Sequence, residues 1–425
     1  MSLGQSYAGH TLERRLEQAT RYGYQGIELF YDDIEYFAQT LPLSPPSKSV
    51  ALTKSTPTTD LMIPHTTAPT DSQLVRAAAM IRGICERRKL TVLCLQPFRH
   101  FEGLINKKAR ADRLSELRLW CRLASILRTN LILIPSNFLP KIHLTDDLDV
   151  IVQDLQDAAA VAAAANPPVR LCYEALAWGT HISTWQASWD VVQRVNQANF
   201  GLCLDTFNIA ARDYADPGIP GGVLSSGPDA LKASLKELVE TVDVNRVFLV
   251  QVADGARLAA PVQPGHPLYD SEMPTRMAWS RNHRLFYGED SRSGYLPIAD
   301  ILEAIFNGLG YRGWVSFELF NRRMGGADAS VPVEMAQRGA ESWAKMVQDF
   351  QLVTDSSATI SVKDAAKKAV KAIKATNSAI SVSGSKETLS KEETDSDCTD
   401  TLDVRTKPWM RWLNACGLSS SQYDD

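Results

Sequence analysis

Apolar runs of five to seven residues recur along the chain at 26–30, 91–97, 130–135, 169–174, 200–205, 247–252 and 314–320. Most are nearly continuous in Val, Ile, Leu, Phe and Cys rather than alternating, the pattern of a strand buried on both faces. Between them lie stretches of helical period, at 12–22, 113–127, 148–165, 185–196 and 298–309. Apolar strands separated by helices predict a parallel sheet wrapped by helices. Seven such repeats point to a (β/α)8 TIM barrel rather than an open doubly wound sheet. No Gly-rich phosphate loop follows the first run, which weakens the dinucleotide-binding alternative.

The pattern is interrupted in three places. The chain opens with Met1-Ser-Leu-Gly-Gln-Ser-Tyr-Ala-Gly-His and passes at once into a helical stretch. This reads as the end of a βα loop whose own strand is truncated. A barrel short of one strand carries two unpaired edges, so either it stays open or another segment fills the gap. Residues 41–71 are rich in Pro, Ser and Thr and read as a flexible insertion. From 352 to 425 the chain turns to Ser, Thr, Lys, Asp and Glu, too polar to offset the entropy of ordering, which predicts a mostly disordered tail. The barrel domain is therefore 1–351, with a lid-like connection at 255–296, far longer than ordinary βα turns.

Composition narrows the class. Forty-five Lys and Arg stand against 49 Asp and Glu, a formal charge of −4 that gives no electrostatic reason to expect nucleic acid or an anionic membrane as partner. No apolar run approaches the ~20 residues that span a bilayer. The seven cysteines are scattered, and Cys94, Cys172 and Cys203 sit inside strand runs as small apolar residues. A reduced, cytoplasmic protein is expected, with homo-oligomerisation left open.

In this architecture the active site forms at the C-terminal ends of the strands. Four runs end in residues that apolar packing would not choose: Glu174, Asp205, Gln251 and Glu318, spaced 31, 46 and 67 residues apart. Three carboxylates and an amide converging in a barrel mouth repel one another unless a cation neutralises them. Hard oxygen donors suit Mg²⁺ or Mn²⁺, with Co²⁺ a further candidate. For any one of these residues alone, a buried acid paired with Arg or Lys is the simpler reading.

Six stretches carry a resemblance. They are Tyr22-Gly-Tyr-Gln-Gly-Ile-Glu-Leu-Phe-Tyr, Cys94-Leu-Gln-Pro-Phe, Tyr173-Glu-Ala-Leu-Ala-Trp-Gly, Gly201-Leu-Cys-Leu-Asp-Thr-Phe-Asn-Ile-Ala, Phe248-Leu-Val-Gln-Val-Ala-Asp-Gly and Gly313-Trp-Val-Ser-Phe-Glu-Leu-Phe-Asn. Over roughly residues 1–351 the chain resembles the fungal 3-dehydroshikimate dehydratases of quinate catabolism, within the xylose isomerase-like, sugar phosphate isomerase/epimerase superfamily. The resemblance implies Glu174, Asp205, Gln251 and Glu318 as ligands of one divalent ion, with Gln in place of a more usual His. It implies removal of water from 3-dehydroshikimate to give protocatechuate.

That reaction needs a base for a proton α to a ketone, stabilisation of the developing enolate, and a cation for the substrate carboxylate. His100 and His283 are the first candidates for the base, with His181 in reserve. Arg99 and Arg284 are candidates for the carboxylate, each with an ordinary ion pair as the alternative. Glu28 could orient a substrate hydroxyl or serve as a paired structural acid. Two other functions stay open: a ketose-sugar isomerase or epimerase on the same scaffold, and a truncated, non-catalytic barrel acting as a binding protein. Trp185 and Trp189 fall at helical spacing and read as core, and Lys107-Lys-Ala-Arg reads as a solvated helix start.

Overall fold

A computed structural model describes residues 2–41 and 68–352. The 41–71 insertion, apart from its ends, and nearly all of the tail lie outside the described residues. The long strands are β1 (Gly26–Phe30), β2 (Thr91–Gln96), β3 (Leu131–Pro135), β4 (Arg170–Glu174), β5 (Phe200–Asp205) and β6 (Val247–Gln251). A two-residue antiparallel ribbon, β7 (Asp254–Gly255) with β8 (Arg284–Leu285), precedes β9 (Val315–Ser316). The sheet is parallel throughout in the order β1-β2-β3-β4-β5-β6-β9. This is the near-closed TIM barrel that the apolar runs predict.

Six of the described α-helices start on side-chain caps. Helix α1 (Leu12–Arg21) begins at Thr11, whose hydroxyl accepts from the amide of Arg14. Helix α2 (Tyr31–Gln39) follows β1 directly, and α3 (Asp71–Arg87) starts on a capping box of Thr70 and Gln73. Asn106 caps α4 (Lys107–Leu127), which confirms the solvated helix start at Lys107. Asp147 caps α5 (Leu148–Ala163), and Thr184 caps α6 (Trp185–Val195), where Trp185 and Trp189 are buried as core. Helix α7 (Thr206–Asp213) springs from β5 with no loop between them, and α8 is Gly227–Thr241. The expected lid connection carries a helix of its own, α9 (Thr275–His283). After α10 (Ile298–Glu303) comes a π-helical turn, and α11 (Val331–Asp349) closes the described chain.

Two layers of core explain the continuous apolar strands. Inside the barrel Leu93, Cys94, Leu131, Leu133, Cys172, Cys203 and Leu249 form one cluster. Outside it the opposite strand faces meet the helices in a larger one. The three strand cysteines fill the narrow interior as buried free thiols, and burial pushes the thiols of Cys94 and Cys203 well above the usual range. No helix among the described residues is long and apolar enough to cross a membrane.

Among the described residues no strand pairs between β9 and β1. The N-terminal segment runs along one end of this seam. The Ser2 hydroxyl donates to the Phe317 carbonyl and accepts from the Leu319 amide, the Gln5 amide donates to Met324, and His10 bonds the Gly326 carbonyl. Arg15 fastens that segment to the barrel with a buried ion pair to Asp33 at 2.7 Å, shared with the Ser6 hydroxyl. Burial alone would raise the Asp33 carboxyl, but the Arg15 guanidinium holds it at about 2.

Candidate active site

The strand ends bring Glu174, Asp205 and Glu318 together. One carboxylate oxygen from each lies within 4.8 Å of the others, and all three side chains are buried. Asp205 does two jobs: one oxygen caps α7 through the Asn208 amide at 3.0 Å, and the other accepts from Arg284 at 2.7 Å. Asn208, one turn into α7, donates its side-chain amide to Glu174 at 2.8 Å and accepts from the Ala177 amide. Its role is legible only as an Asn three residues after the strand-end Asp.

Arg284 is the counter-charge. It is 1% exposed, and one guanidinium nitrogen meets Asp205 at 2.7 Å and Glu318 at 3.1 Å while Nε donates to the Ser280 hydroxyl. The rings of Phe207 and Phe320 flank it at 4.5 and 5.3 Å. The β7–β8 ribbon thus carries Arg284 into the acid cluster, where its guanidinium pairs with carboxylates of the chain itself.

Even so, three carboxylates against one guanidinium leave −2. Burial, then Glu318 and Asp205, push the Glu174 carboxyl well above the usual carboxylate range. Burial raises Glu318 to about 8, against the opposing pull of Arg284. Carboxyls pushed upward in this way mark a site short of positive charge, and the formal surplus of −2 is what a divalent cation would cancel. The donor set therefore fits a hard divalent ion.

Gln251 stands beside this cluster, oriented differently from the expected ligand. Its amide nitrogen donates to both oxygens of Glu28, at 2.9 and 3.2 Å, and its oxygen accepts from the Cys203 thiol at 3.4 Å. Glu28 also accepts from Gln96 at 2.6 Å, so it is a half-buried acid held between two amides, and burial raises it to about 7.

At the mouth, Arg99 makes a loose ion pair with Asp32 at 3.5 Å. His100 is buried in a left-handed backbone conformation, beside Asn137 at 3.4 Å and the Phe138 ring. Burial, then Arg113 and Arg99, push its imidazole down to about 3. His283 ends α9, and burial with Arg322 and His266 takes it to about 4. Both imidazoles are thus neutral at ordinary pH. Nε2 of His181, in the loop after β4, has no hydrogen-bond partner among the described residues.

Two further residues escaped sequence reasoning. Glu102 is buried, with one oxygen accepting from the Asn137 amide and the Tyr173 hydroxyl and the other without a partner. Burial raises it to about 7. Arg281, on α9, is the second.

A sequence profile described as the xylose isomerase-like TIM barrel matches residues 16–346. The chain belongs to the xylose isomerase-like TIM-barrel family. Within this family it is 47% identical to a 3-dehydroshikimate dehydratase of Neurospora crassa over 352 residues, covering 83% of this chain and 93% of that protein. A 3-dehydroshikimate dehydratase of Pseudomonas aeruginosa is 28% identical over 316 residues, which are 73% of this chain but 36% of that longer protein. Among solved structures, an IOLI protein with a bound zinc atom superimposes with a TM-score of 0.54 at 15% identity, covering 80% of this chain and 94% of that one. That likeness is one of fold.

Proposed function

We propose that the protein dehydrates 3-dehydroshikimate to protocatechuate with the help of one divalent ion. The observation that carries this reading is the buried convergence of Glu174, Asp205 and Glu318 around a single guanidinium, in a chain 47% identical to a dehydratase of that substrate. The reaction loses one proton from the carbon α to the ketone and one hydroxyl from the β carbon. Enolisation of the resulting dienone completes the aromatic ring, so substrate equals product plus water.

Glu174, Asp205 and Glu318 would hold the ion. Gln251 would complete the set through its oxygen, since its terminal torsion is soft. When bound, the ion supplies Lewis-acid polarisation of the ketone oxygen. Mg²⁺ or Mn²⁺ suits these oxygen donors best. Arg284 sets the charge of the cluster and Asn208 fixes the rotamer of Glu174. His100 and His283, both neutral at working pH, are the candidates to take the α proton, and Glu28 to bond a ring hydroxyl. Arg99, whose ion pair to Asp32 is loose at 3.5 Å, would meet the substrate carboxylate. The partner is the small-molecule substrate, and the setting is the cytoplasm.

The test is Glu318→Gln. The amide keeps the shape and removes one negative charge, so turnover of 3-dehydroshikimate should fall by ~10³-fold or more while the protein stays folded by circular dichroism. Near-full turnover in the folded variant would sink the reading.

A further inference from the structure

His100 stands in the loop after β2 with a backbone φ of 53°, a strained choice for a residue that carries a Cβ. Its neighbours hold it there. Arg113 donates to the Arg99 carbonyl just before it, and the Phe138 ring lies tilted against the imidazole at 4.5 Å. Asn137, buried in the loop after β3, sets its side-chain oxygen 3.4 Å from imidazole Nδ1.

A carboxamide can be turned end for end, so the atom that faces the ring needs a physical reason. Two neighbours supply it. Asn137 Nδ2 lies 2.8 Å from the Glu102 carbonyl, which can only accept, and Oδ1 lies 3.1 Å from the Leu139 amide, which can only donate. The reversed amide would set oxygen against oxygen and N–H against N–H. The backbone is pinned too: the Asn137 amide donates to the Glu102 carboxylate at 2.6 Å, and its carbonyl accepts from the Thr180 amide at 2.9 Å. Asn137 is thus tied to the loops after β2 and β4 as well as its own, and its Oδ1 keeps a second lone pair for His100.

An oxygen can bond Nδ1 only when Nδ1 carries the hydrogen. Burial and the charges of Arg113 and Arg99 keep the imidazole neutral, so it has a single N–H to place. With that hydrogen on Nδ1, the basic lone pair lies on Nε2.

We propose that Asn137 is a positioning residue that locks His100 in the Nδ1–H tautomer and so makes Nε2 the atom that takes the substrate's α proton. This deepens the proposed reaction and rests on it for the source of the proton. The proton passes from carbon to Nε2 while its bonding pair moves toward the ketone oxygen. Asn137 touches only His100 and the neighbouring loops in this scheme, so it acts through the imidazole. Its bond also pulls the imidazole upward against burial and the two arginines, which favours proton uptake at Nε2.

The experiment records two-bond proton–nitrogen NMR spectra of the metal-loaded full chain with ¹⁵N-labelled histidine, the His100 signals being assigned with His100→Gln. Wild type should show a protonated, pyrrole-type Nδ1 and a pyridine-type Nε2 at His100. Asn137→Leu removes the acceptor and should give the Nε2–H tautomer or a mixture, with kcat for 3-dehydroshikimate down ~10- to 100-fold and KM within about twofold. Asn137→Asp keeps an oxygen toward Nδ1, so it should restore the Nδ1–H pattern and most of kcat. An Nε2–H tautomer in wild type overturns the inference by itself, whether or not the variants fold. If Asn137→Leu does not fold, Asn137→Ala replaces it under the same criteria. A variant without the acceptor that keeps a pure Nδ1–H imidazole, or that loses it and keeps its kcat, also overturns the inference. A wild type with the Nδ1–H tautomer that forms no protocatechuate would sink the proposed reaction and leave the lock on His100 standing.

Discussion

Replacing Arg284 by Met isolates the charge balance of the site. Methionine fills much of the slot between Phe207 and Phe320, so the change removes charge more than volume. What is lost is a buried guanidinium 2.7 Å from Asp205 and 3.1 Å from Glu318, which leaves three buried carboxylates with no counter-ion. Removing one partner of a buried ion pair costs about 3–5 kcal/mol. In a domain of this size each kcal/mol moves the melting midpoint by about 2 °C, so the metal-free variant should melt about 6–10 °C below wild type. A divalent ion supplies the missing charge, so Mn²⁺ or Mg²⁺ should raise the midpoint of Arg284→Met more than that of wild type. The assay is thermal unfolding followed by circular dichroism, in chelator and across a metal titration. A variant that melts with wild type in chelator would refute the view that Arg284 balances the cluster. Equal metal-induced shifts would refute the view that the cluster is what binds the ion.

Two other outcomes follow from single contacts. Asn208→Ala deletes the 2.8 Å donor to Glu174, and metal affinity measured by competition with a chromophoric chelator should fall ~10- to 100-fold with the fold intact; an unchanged affinity would contradict the positioning role. Glu102 binds protons more tightly in the folded state, because burial moves it from 4.5 to about 7. Its contribution to stability is therefore fully retained below about pH 4.5 and declines as pH rises toward 7, by at most about 3 kcal/mol, with no further loss above that. Glu102→Gln, which keeps an acceptor for the Asn137 amide and the Tyr173 hydroxyl, should flatten that part of the stability–pH curve; an identical slope in both proteins would place the titration elsewhere.

The barrel was legible because its strands are buried on both faces, so apolar runs mark them almost to the residue: 200–205 and 26–30 are β5 and β1 as they stand. The last run, 314–320, yields only Val315–Ser316 as strand, since no ladder among the described residues holds its other edge. Helix α9 was missed because its residues lack a clear apolar stripe and read as an irregular lid. Strand ends exposed the acids Glu174, Asp205 and Glu318, because apolar packing would not choose three carboxylates there. Which cation would answer them was not legible. Arg284 and Arg281 sit three residues apart in one stretch, and only the β7–β8 ribbon sends one into the acid cluster while the other keeps no partner among the described residues. Gln251 shows the same limit, because an amide can face either neighbour and the structure turns its nitrogen to Glu28.

The central claim is best tested by adding 3-dehydroshikimate to the purified protein and following ultraviolet absorbance for protocatechuate, with Mg²⁺ or Mn²⁺ in one cuvette and excess chelator in the other. The account predicts that the aromatic product accumulates with metal and stops with chelator, in proportion to enzyme. Folded, metal-loaded protein that forms no protocatechuate, or forms it as fast in chelator, would contradict it.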